Sequence, residues 1–336
     1  MAHSPGPVWV IAEQTDGRLL TVSLQLIGRA RQLAEKLGTG VGAILLGDKV
    51  EHAASQLVAA GADRVYLSDA PHLAIYQPEA YTRIAVELAR DHQPEILLLG
   101  STSMGRELAP LVAARLETGL TAHCIDLLLE DNGVLEQQVP AYGGLISIIS
   151  PERRPQMATV AKGVFPDPQL DEGRVGEIVR LDPAEEVYER VETLEVVREE
   201  PKGVPLETAK VVVAGGAGVG DAAGWQSIVE LALALNAGLG STRPIVDEGW
   251  TELETMIGQS GKMVSPALYI GVALSGEQQH MVGITDARVM IAINNDENAP
   301  VFEQVDIGIV DDCREFVPAL ISRIQEYQSG RAKPWV

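Results

Sequence analysis

Ile96-Leu97-Leu98-Leu99 is apolar at every position and closes on Gly100, and similar unbroken runs stand at 8–12 and 41–47. A strand with one face in water alternates apolar and polar residues. An unbroken run has both faces covered, as in a parallel sheet with helices on each side. The intervening stretches have helical period. Residues 24–37 put Leu24, Ile27, Ala30, Leu33, Ala34 and Leu37 on one face, with Gly38 at the C-cap position. Residues 52–60 end at Gly61, Arg64-Val65-Tyr66-Leu67 reads as a strand, and a helix over 81–91 stops before Pro94. This alternation predicts an α/β fold.

Past the fourth strand, Ser101-Thr102-Ser103-Met104-Gly105-Arg106-Glu107 leads into a helix over 108–116. The turn has the composition of an anion site at a helix N-terminus, and equally of a Ser/Thr cap followed by a first-turn arginine; capping preferences favour the cap. Arg106 is also a candidate contact for a partner chain. Between 119 and 162 the pattern turns to short strands at 124–129, 134–139, 145–149 and 157–161, with Asp131-Asn132-Gly133 as a hairpin signal. His123, alone among apolar neighbours, reads as a structural histidine.

A chain of 336 residues exceeds what one core usually organises. Residues 165–205 are rich in proline and acid, and we place the boundary at Pro201 to Pro205, with an edge strand expected in the apolar alternation of 187–197. The expected division is 1–204, 205–330 and a tail of 331–336. The second domain opens with a strand over 210–214, a glycine turn from Gly215 to Gly220 and a helix over 222–236. Gly218-x-Gly220-x-x-Ala223 satisfies a loose dinucleotide fingerprint. The segment that follows reads as loop, and Ile245-Val246 is too short for the strand that presents an acid to a ribose. Strands over 267–273, 289–293 and 307–310 each end in polar residues, the pattern of a ligand crevice at one sheet edge, and a helix over 314–327 closes the domain.

Composition excludes several functions. A net charge of -21 with no basic run repels a phosphate backbone, and 4% aromatic residues disfavour base-stacking platforms. Cys124 and Cys313 stand alone, without the spacing of a thiolate metal or iron–sulfur site. No run approaches membrane-spanning length and the N-terminus lacks a signal-peptide pattern, so a cytoplasmic protein without membrane insertion is expected.

From Gly238 to His280, glycines interleave with hydroxyls, amides, an arginine and a histidine. Glycine permits close backbone approach, and these side chains suit phosphate and a polar heterocycle, so the stretch is a candidate ligand site.

Four blocks in this half, Ser241-Thr242-Arg243-Pro244-Ile245-Val246-Asp247-x-Gly249-Trp250, Ile257-Gly258-Gln259-Ser260-Gly261-Lys262, the run from Leu268 to Gly276 with Gln279-His280, and Ala292-Ile293-Asn294-x-Asp296, resemble in order and spacing the α subunit of electron transfer flavoproteins. Gly105-Arg106-Glu107-Leu108-Ala109-Pro110 and Pro155-Gln156-Met157-Ala158-Thr159-Val160 extend the resemblance over essentially the whole chain.

The resemblance implies two α/β domains, each a mostly parallel sheet flanked by helices, the second a doubly wound FAD-binding domain. It also implies a heterodimer with a β subunit that contacts the first domain and completes the site. The complex would act as an electron carrier with no catalytic nucleophile. It would serve acyl-CoA dehydrogenase-type flavoproteins, as in fatty acid β-oxidation, and pass electrons to a downstream acceptor. Electron bifurcation would turn on whether the β subunit holds FAD or AMP. The cofactor-binding residues carried over are Thr242, Arg243, Ile257, Gly258, Gln259, Ser260, Ser275, Gly276, Glu277, Gln278, Gln279, His280, Asn294 and Asp312. Arg243 and His280 would supply positive charge or a donor and raise a flavin's potential, with Ser260 reaching a ring nitrogen. Ala217 stands where the family commonly has an arginine, Asn295 replaces a lysine, and Glu277 adds an acid that would lower the potential if turned inward. Two other readings are an NAD-dependent dehydrogenase built on the 215–220 glycine turn and a scaffold that has lost its flavin.

Overall fold

Strand β1 (Val8–Ala12) has every residue buried, and its side chains divide between two cores. Val8 and Val10 pack with helix α1 (Thr21–Leu37), while Trp9 and Ile11 face the opposite layer. This is the double coverage the unbroken run demands. The computed structural model describes residues 5–141, 144–150, 152–181, 191, 193–197, 203–285 and 287–330. The chain forms two compact units, residues 1–194 and 195–336.

In the first unit β1 is followed by a two-stranded ribbon, β2 (Gln14–Thr15) and β3 (Arg18–Leu19), and then by α1. There follow β4 (Val41–Gly47), α2 (Glu51–Ala60), β5 (Arg64–Asp69), α3 (Pro78–His92), β6 (Ile96–Gly100) and α4 (Ser103–Leu116). The chain continues through β7 (Leu120–Cys124), β8 (Asp126–Leu129), β9 (Leu135–Ala141), β10 (Gly144–Ile149), β11 (Gln156–Val160) and β12 (Glu177–Arg180). Seven strands form one parallel sheet in the order β12-β5-β4-β1-β6-β11-β7. Helices α1 and α2 cover one face, and α3 and α4 the other.

Strands β8, β9 and β10 form a separate antiparallel sheet. Its first turn carries Gly133 at φ 81° and an Asn132 side chain that accepts from the Val134 amide at 2.9 Å, as the Asn-Gly signal predicts. The expected edge strand lies earlier than 187–197: β12 pairs with β5 and Arg64 bridges to Glu177 at 2.6 Å. Residues 193–197 form no strand, and 182–190 lie outside the described residues. The turn before α4 is a helix cap, with Thr102 Oγ1 accepting from the Gly105 amide at 2.9 Å. His123 is the structural residue expected, its Nδ1 3.0 Å from Ser101 Oγ.

The second unit contains β13 (Val211–Gly215), α5 (Ala222–Leu235), β14 (Gly238–Ser241), α6 (Arg243–Asp247) and β15 (Leu268–Val272). These are followed by α7 (Gln278–Met281), β16 (Val289–Asn294), β17 (Ile307–Val310) and α8 (Cys313–Gln328). All five strands are parallel, in the order β14-β13-β15-β16-β17. This is the doubly wound arrangement. Chain direction across the sheet reverses between β13 and β15, and ligands collect at such a switch point.

Strand β14 corrects the sequence reading of 238–244 as loop. Gly-Leu-Gly-Ser has poor strand propensity, but the position selects small residues. A Cβ on Gly238 would stand 2.8 Å from Ala209 Cβ, and one on Gly240 would stand 2.5 Å from Ile257 Cδ1 and 3.1 Å from Ala214 Cβ. Ile245 and Val246, weighed above as a strand, lie in α6.

No helix among the described residues is long and apolar enough to cross a membrane. Gly240→Val should destabilise the protein by about 1–3 kcal/mol through overpacking against Ile257 and Ala214. Urea unfolding measures this, and an unchanged midpoint would contradict the packing account of β14.

Candidate functional site

A cleft of about 540 Å³ opens at the carboxyl ends of β13, β14, β15 and β16, entirely within the second unit. Its floor is the switch point, with Gly216, Ala217 and Gly218 after β13 facing Ala273 to Glu277 after β15. The two turns are joined by backbone bonds, Gly216 N–H to Val272 O at 2.9 Å and Gly218 N–H to Ala273 O at 3.0 Å. Ala273 adopts φ 53°, a conformation uncommon for a residue with a Cβ, and aims its carbonyl at Gly218. Gly276 is required as glycine. It has φ 85°, and a Cβ there would lie 2.4 Å from Val301 Cα.

The walls come from Thr242 to Pro244, Met256 to Gly261, Gln279-His280 and Asn294 to Asp296. Two wall segments interlock: Gln259 N–H donates to Gln279 O at 2.7 Å, and Gly258, at φ 140°, would place a Cβ 2.4 Å from that same carbonyl. Thr242, Gln259, Ser260, Ser275 and Gln279 have side chains that hydrogen-bond to nothing among the described residues, as do the amides of Ser275 and Gly276. Polar groups in a cleft with unspent donors are equipped to receive a polar ligand.

Charge in the cleft is sparse. Arg243, in the first turn of α6, is 72% exposed and stands 3.4 Å from Asp247. Glu277 and Asp296 also line the cleft, and Asp296 Oδ1 accepts from the Asn298 amide at 3.0 Å. His280 is buried, with Nδ1 3.0 Å from Ile257 O and Nε2 2.7 Å from Tyr269 Oη. A carbonyl only accepts, so Nδ1 carries the proton and Nε2 accepts from the tyrosine. Burial pushes the His280 pKa down to about 4 against the partly opposing backbone bond. Among the described residues no three His, Cys, Asp or Glu side chains are grouped to hold a metal.

Residues 8–186 match the electron transfer flavoprotein domain, and residues 205–285 match the electron transfer flavoprotein FAD-binding domain. The chain is 41% identical to the electron transfer flavoprotein subunit alpha of Thermoanaerobacterium thermosaccharolyticum, over 95% of this chain and 98% of that protein. It is also 41% identical to the protein FixB of Clostridium saccharobutylicum, covering 96% and 97%. The acryloyl-CoA reductase electron transfer subunit beta of Anaerotignum propionicum is 34% identical, with 95% of each chain covered.

The chain belongs to the family of electron transfer flavoprotein α subunits.

In this α subunit the structure gathers twelve of the fourteen residues carried over from the family pattern around the cleft; Gln278 and Asp312 do not line it. Asp312 instead caps α8, accepting from the Arg314 amide at 2.8 Å, and the Arg314 guanidinium reaches Val219 O and Asp221 in the glycine turn. Asn294 lines the cleft with its amide engaged, donating to Leu274 O at 2.9 Å and accepting from the Asp296 amide at 3.0 Å. The positive charge expected of His280 is absent, because the ring is neutral and both nitrogens are engaged.

Sequence reasoning did not single out Ala273, Met256, Ala299 or Pro300 as lining residues. Their signal is weak, since each is a small or apolar residue placed by the turn beside it.

The depressed His280 pKa has a definite sign. Below about pH 6.5 the unfolded imidazole binds a proton that the folded one excludes, so stability is full above that pH and lost as pH falls towards about 4. The loss should reach about 3 kcal/mol relative to His280→Gln. Nitrogen NMR of the wild-type imidazole should show a neutral Nδ1–H ring down to about pH 5; titration near 6.5 would contradict the burial argument.

Proposed function

We propose that this α subunit holds FAD in the switch-point cleft. Paired with a β subunit, it carries electrons between acyl-CoA dehydrogenase-type flavoproteins and a downstream acceptor. The observation that carries the reading is the cleft between the turns after β13 and β15, where a doubly wound sheet offers its ligand crevice. The fit to FAD rests on the donor set. The amides of Ser275 and Gly276, which have no partner among the described residues, suit a pyrophosphate. The unspent side chains of Thr242, Gln259, Ser260 and Gln279 suit the edges of a polar ring.

Bound FAD would supply the redox chemistry, and the chain's residues would bind, orient and tune it. Arg243 contributes the cleft's guanidinium and favours an electron-rich ring, while Glu277 opposes it. The name of the Anaerotignum relative supports an acyl-CoA-linked redox partner. A cytoplasmic location, and a role of the kind seen in fatty acid β-oxidation, accompany the proposal.

Strand β10 supports the heterodimer. Among the described residues it ends its sheet with an unpaired edge, and Leu145, Ile146 and Ile149 are exposed along it. A long apolar edge strand is a template for pairing with another chain, which fits docking of the β subunit. NAD binding is less well supported. Strand β14 exists after all, but it ends in Ser241-Thr242 rather than in an acid that would bind a ribose.

Co-expression with the β subunit should give a yellow complex whose flavin per heterodimer can be counted; a colourless complex would sink the proposal. Arg243→Ala should weaken FAD binding by about ten-fold, as expected for loss of a charge-assisted bond, with a lower flavin potential. Equilibrium dialysis and spectroelectrochemistry measure the two effects. Ile146→Lys should abolish co-purification with the β subunit while leaving the fold, followed by circular dichroism, intact.

A further inference from the structure

Tyr269 lies in β15, fully buried among Val212, Ala214, Ile257 and Leu274, and forms no part of the cleft wall. A phenylalanine would fill the same space. The hydroxyl therefore needs a reason, and its partner is the Nε2 of His280, 2.7 Å away. We propose that Tyr269 is a positioning residue for the flavin site, acting through His280. Its hydroxyl donates to Nε2 and holds the ring where Nδ1–H meets the carbonyl of Ile257, so that the turn 257–261 and helix α7 form one rigid wall. The inference rests on the proposal that the cleft holds FAD, and it adds a residue outside the cleft.

The proton inventory allows one arrangement. Ile257 O can only accept, so Nδ1 must be the protonated nitrogen, and the remaining nitrogen of a neutral ring can only accept. Tyr269 is the donor in place, in a site where an unpartnered Nε2 or hydroxyl would be buried without compensation. Without that donor Nε2 is buried with no partner among the described residues, and the ring loses one of its two anchors. The position of Ile257 is in turn coupled to the ligand-facing groups. Its amide donates to Ser241 O at 3.0 Å, and the next two residues begin the turn that carries Gln259 and Ser260 into the cleft.

The wall has little slack. A Cβ on Gly258 would lie 2.4 Å from Gln279 O, and one on Gly283 would lie 2.4 Å from the Gly258 nitrogen, so the two segments pack backbone against backbone. Besides that contact, the Gln259 N–H to Gln279 O bond and the imidazole hold them together. Outer partners that orient an inner histidine are well established at metal sites, where losing them costs about 10- to 100-fold in affinity.

The test uses the full heterodimer and the variant Tyr269→Phe, which keeps the buried ring. Nitrogen NMR of His280 should keep the Nδ1–H tautomer but show a shifted Nε2 resonance as its hydrogen bond is lost, amide exchange across 257–261 should accelerate, and the FAD dissociation constant should rise by about ten-fold. In a His280→Leu background the same tyrosine change should leave FAD affinity unaltered, because its effect passes through the imidazole. An unchanged Nε2 resonance, an FAD affinity within two-fold of wild type, or additive losses in the double variant would overturn the proposal. If the wild-type heterodimer bound no FAD, the flavin reading itself would fall, while the Nε2 resonance and exchange measurements would still decide whether Tyr269 orders this wall. Should Tyr269→Phe fail to fold, His280→Leu alone gives the second measure: exchange across 257–261 must accelerate, and protection equal to wild type would refute the coupling.

Discussion

Backbone contact between the turns after β13 and β15 sets the position of everything else in the second unit. Gly216 and Gly218 donate to the carbonyls of Val272 and Ala273, and at neither glycine is there room for a Cβ, which would stand 2.5 Å and 2.7 Å from Ala273 O. Beyond this contact the chain departs to opposite faces. Helices α5 and α8 cover the core around Val213, Val272 and Val317, while the segment through Leu274, Ala299 and Val301 covers the other. A crevice is left where the two paths diverge, and the free amides of Ser275 and Gly276 lie beside it. The price is the left-handed backbone of Ala273, a local strain held by the sheet on one side and Gly218 on the other.

The first unit carries the same kind of sheet and resolves the corresponding place differently. Winding reverses there between β1 and β6, and the position is filled by the chain's own Glu13. Thr102 donates to that carboxyl, a Cβ on Gly100 would stand 2.6 Å from its Oε1, and burial raises its pKa. Thr102 also caps α4, so the helix start that reads in sequence as a possible anion site is occupied from within. A switch point in a parallel sheet therefore stands open in one unit and packed in the other, and side chains rather than fold class decide which.

How much was legible in the residues follows from what kind of force placed each element. Runs such as 8–12 and 96–100 are strands because both faces are buried, and burial writes itself into composition; the helices between them carry a 3.6-residue period for the same reason. Strand β14 was illegible because its residues were selected for lack of bulk against Ala209, Ala214 and Ile257, and a steric requirement for glycine looks like a turn. The cleft lining was largely readable through family pattern. What that pattern could not convey was connectivity: Asp312 caps a helix whose Arg314 braces the glycine turn, and Asn294 spends its amide on Leu274 and Asp296. The engagement of both His280 nitrogens was hidden for the same reason, since Tyr269 lies eleven residues away in sequence and is adjacent only once β15 and α7 are in place.

The electrostatics of the cleft then limit how it would hold the FAD proposed for it. One exposed guanidinium, shared with Asp247, faces two carboxylates, and the histidine adds no charge. Ala217 puts no cation in the glycine turn, and the chain as a whole carries a net charge of -21. Long-range attraction would be weak and screened beyond about 10 Å at ordinary ionic strength. Short-range neutral donors must therefore do most of the holding, and these are fixed by the fold: amides at Ser275 and Gly276, and hydroxyls and amides at Thr242, Gln259, Ser260 and Gln279. Neutral donors discriminate only when their positions are rigid. The demand for rigidity gives the interlocked glycines at 258 and 283, and the hydrogen-bonded path from Tyr269 through His280 to Ile257, a direct consequence for binding.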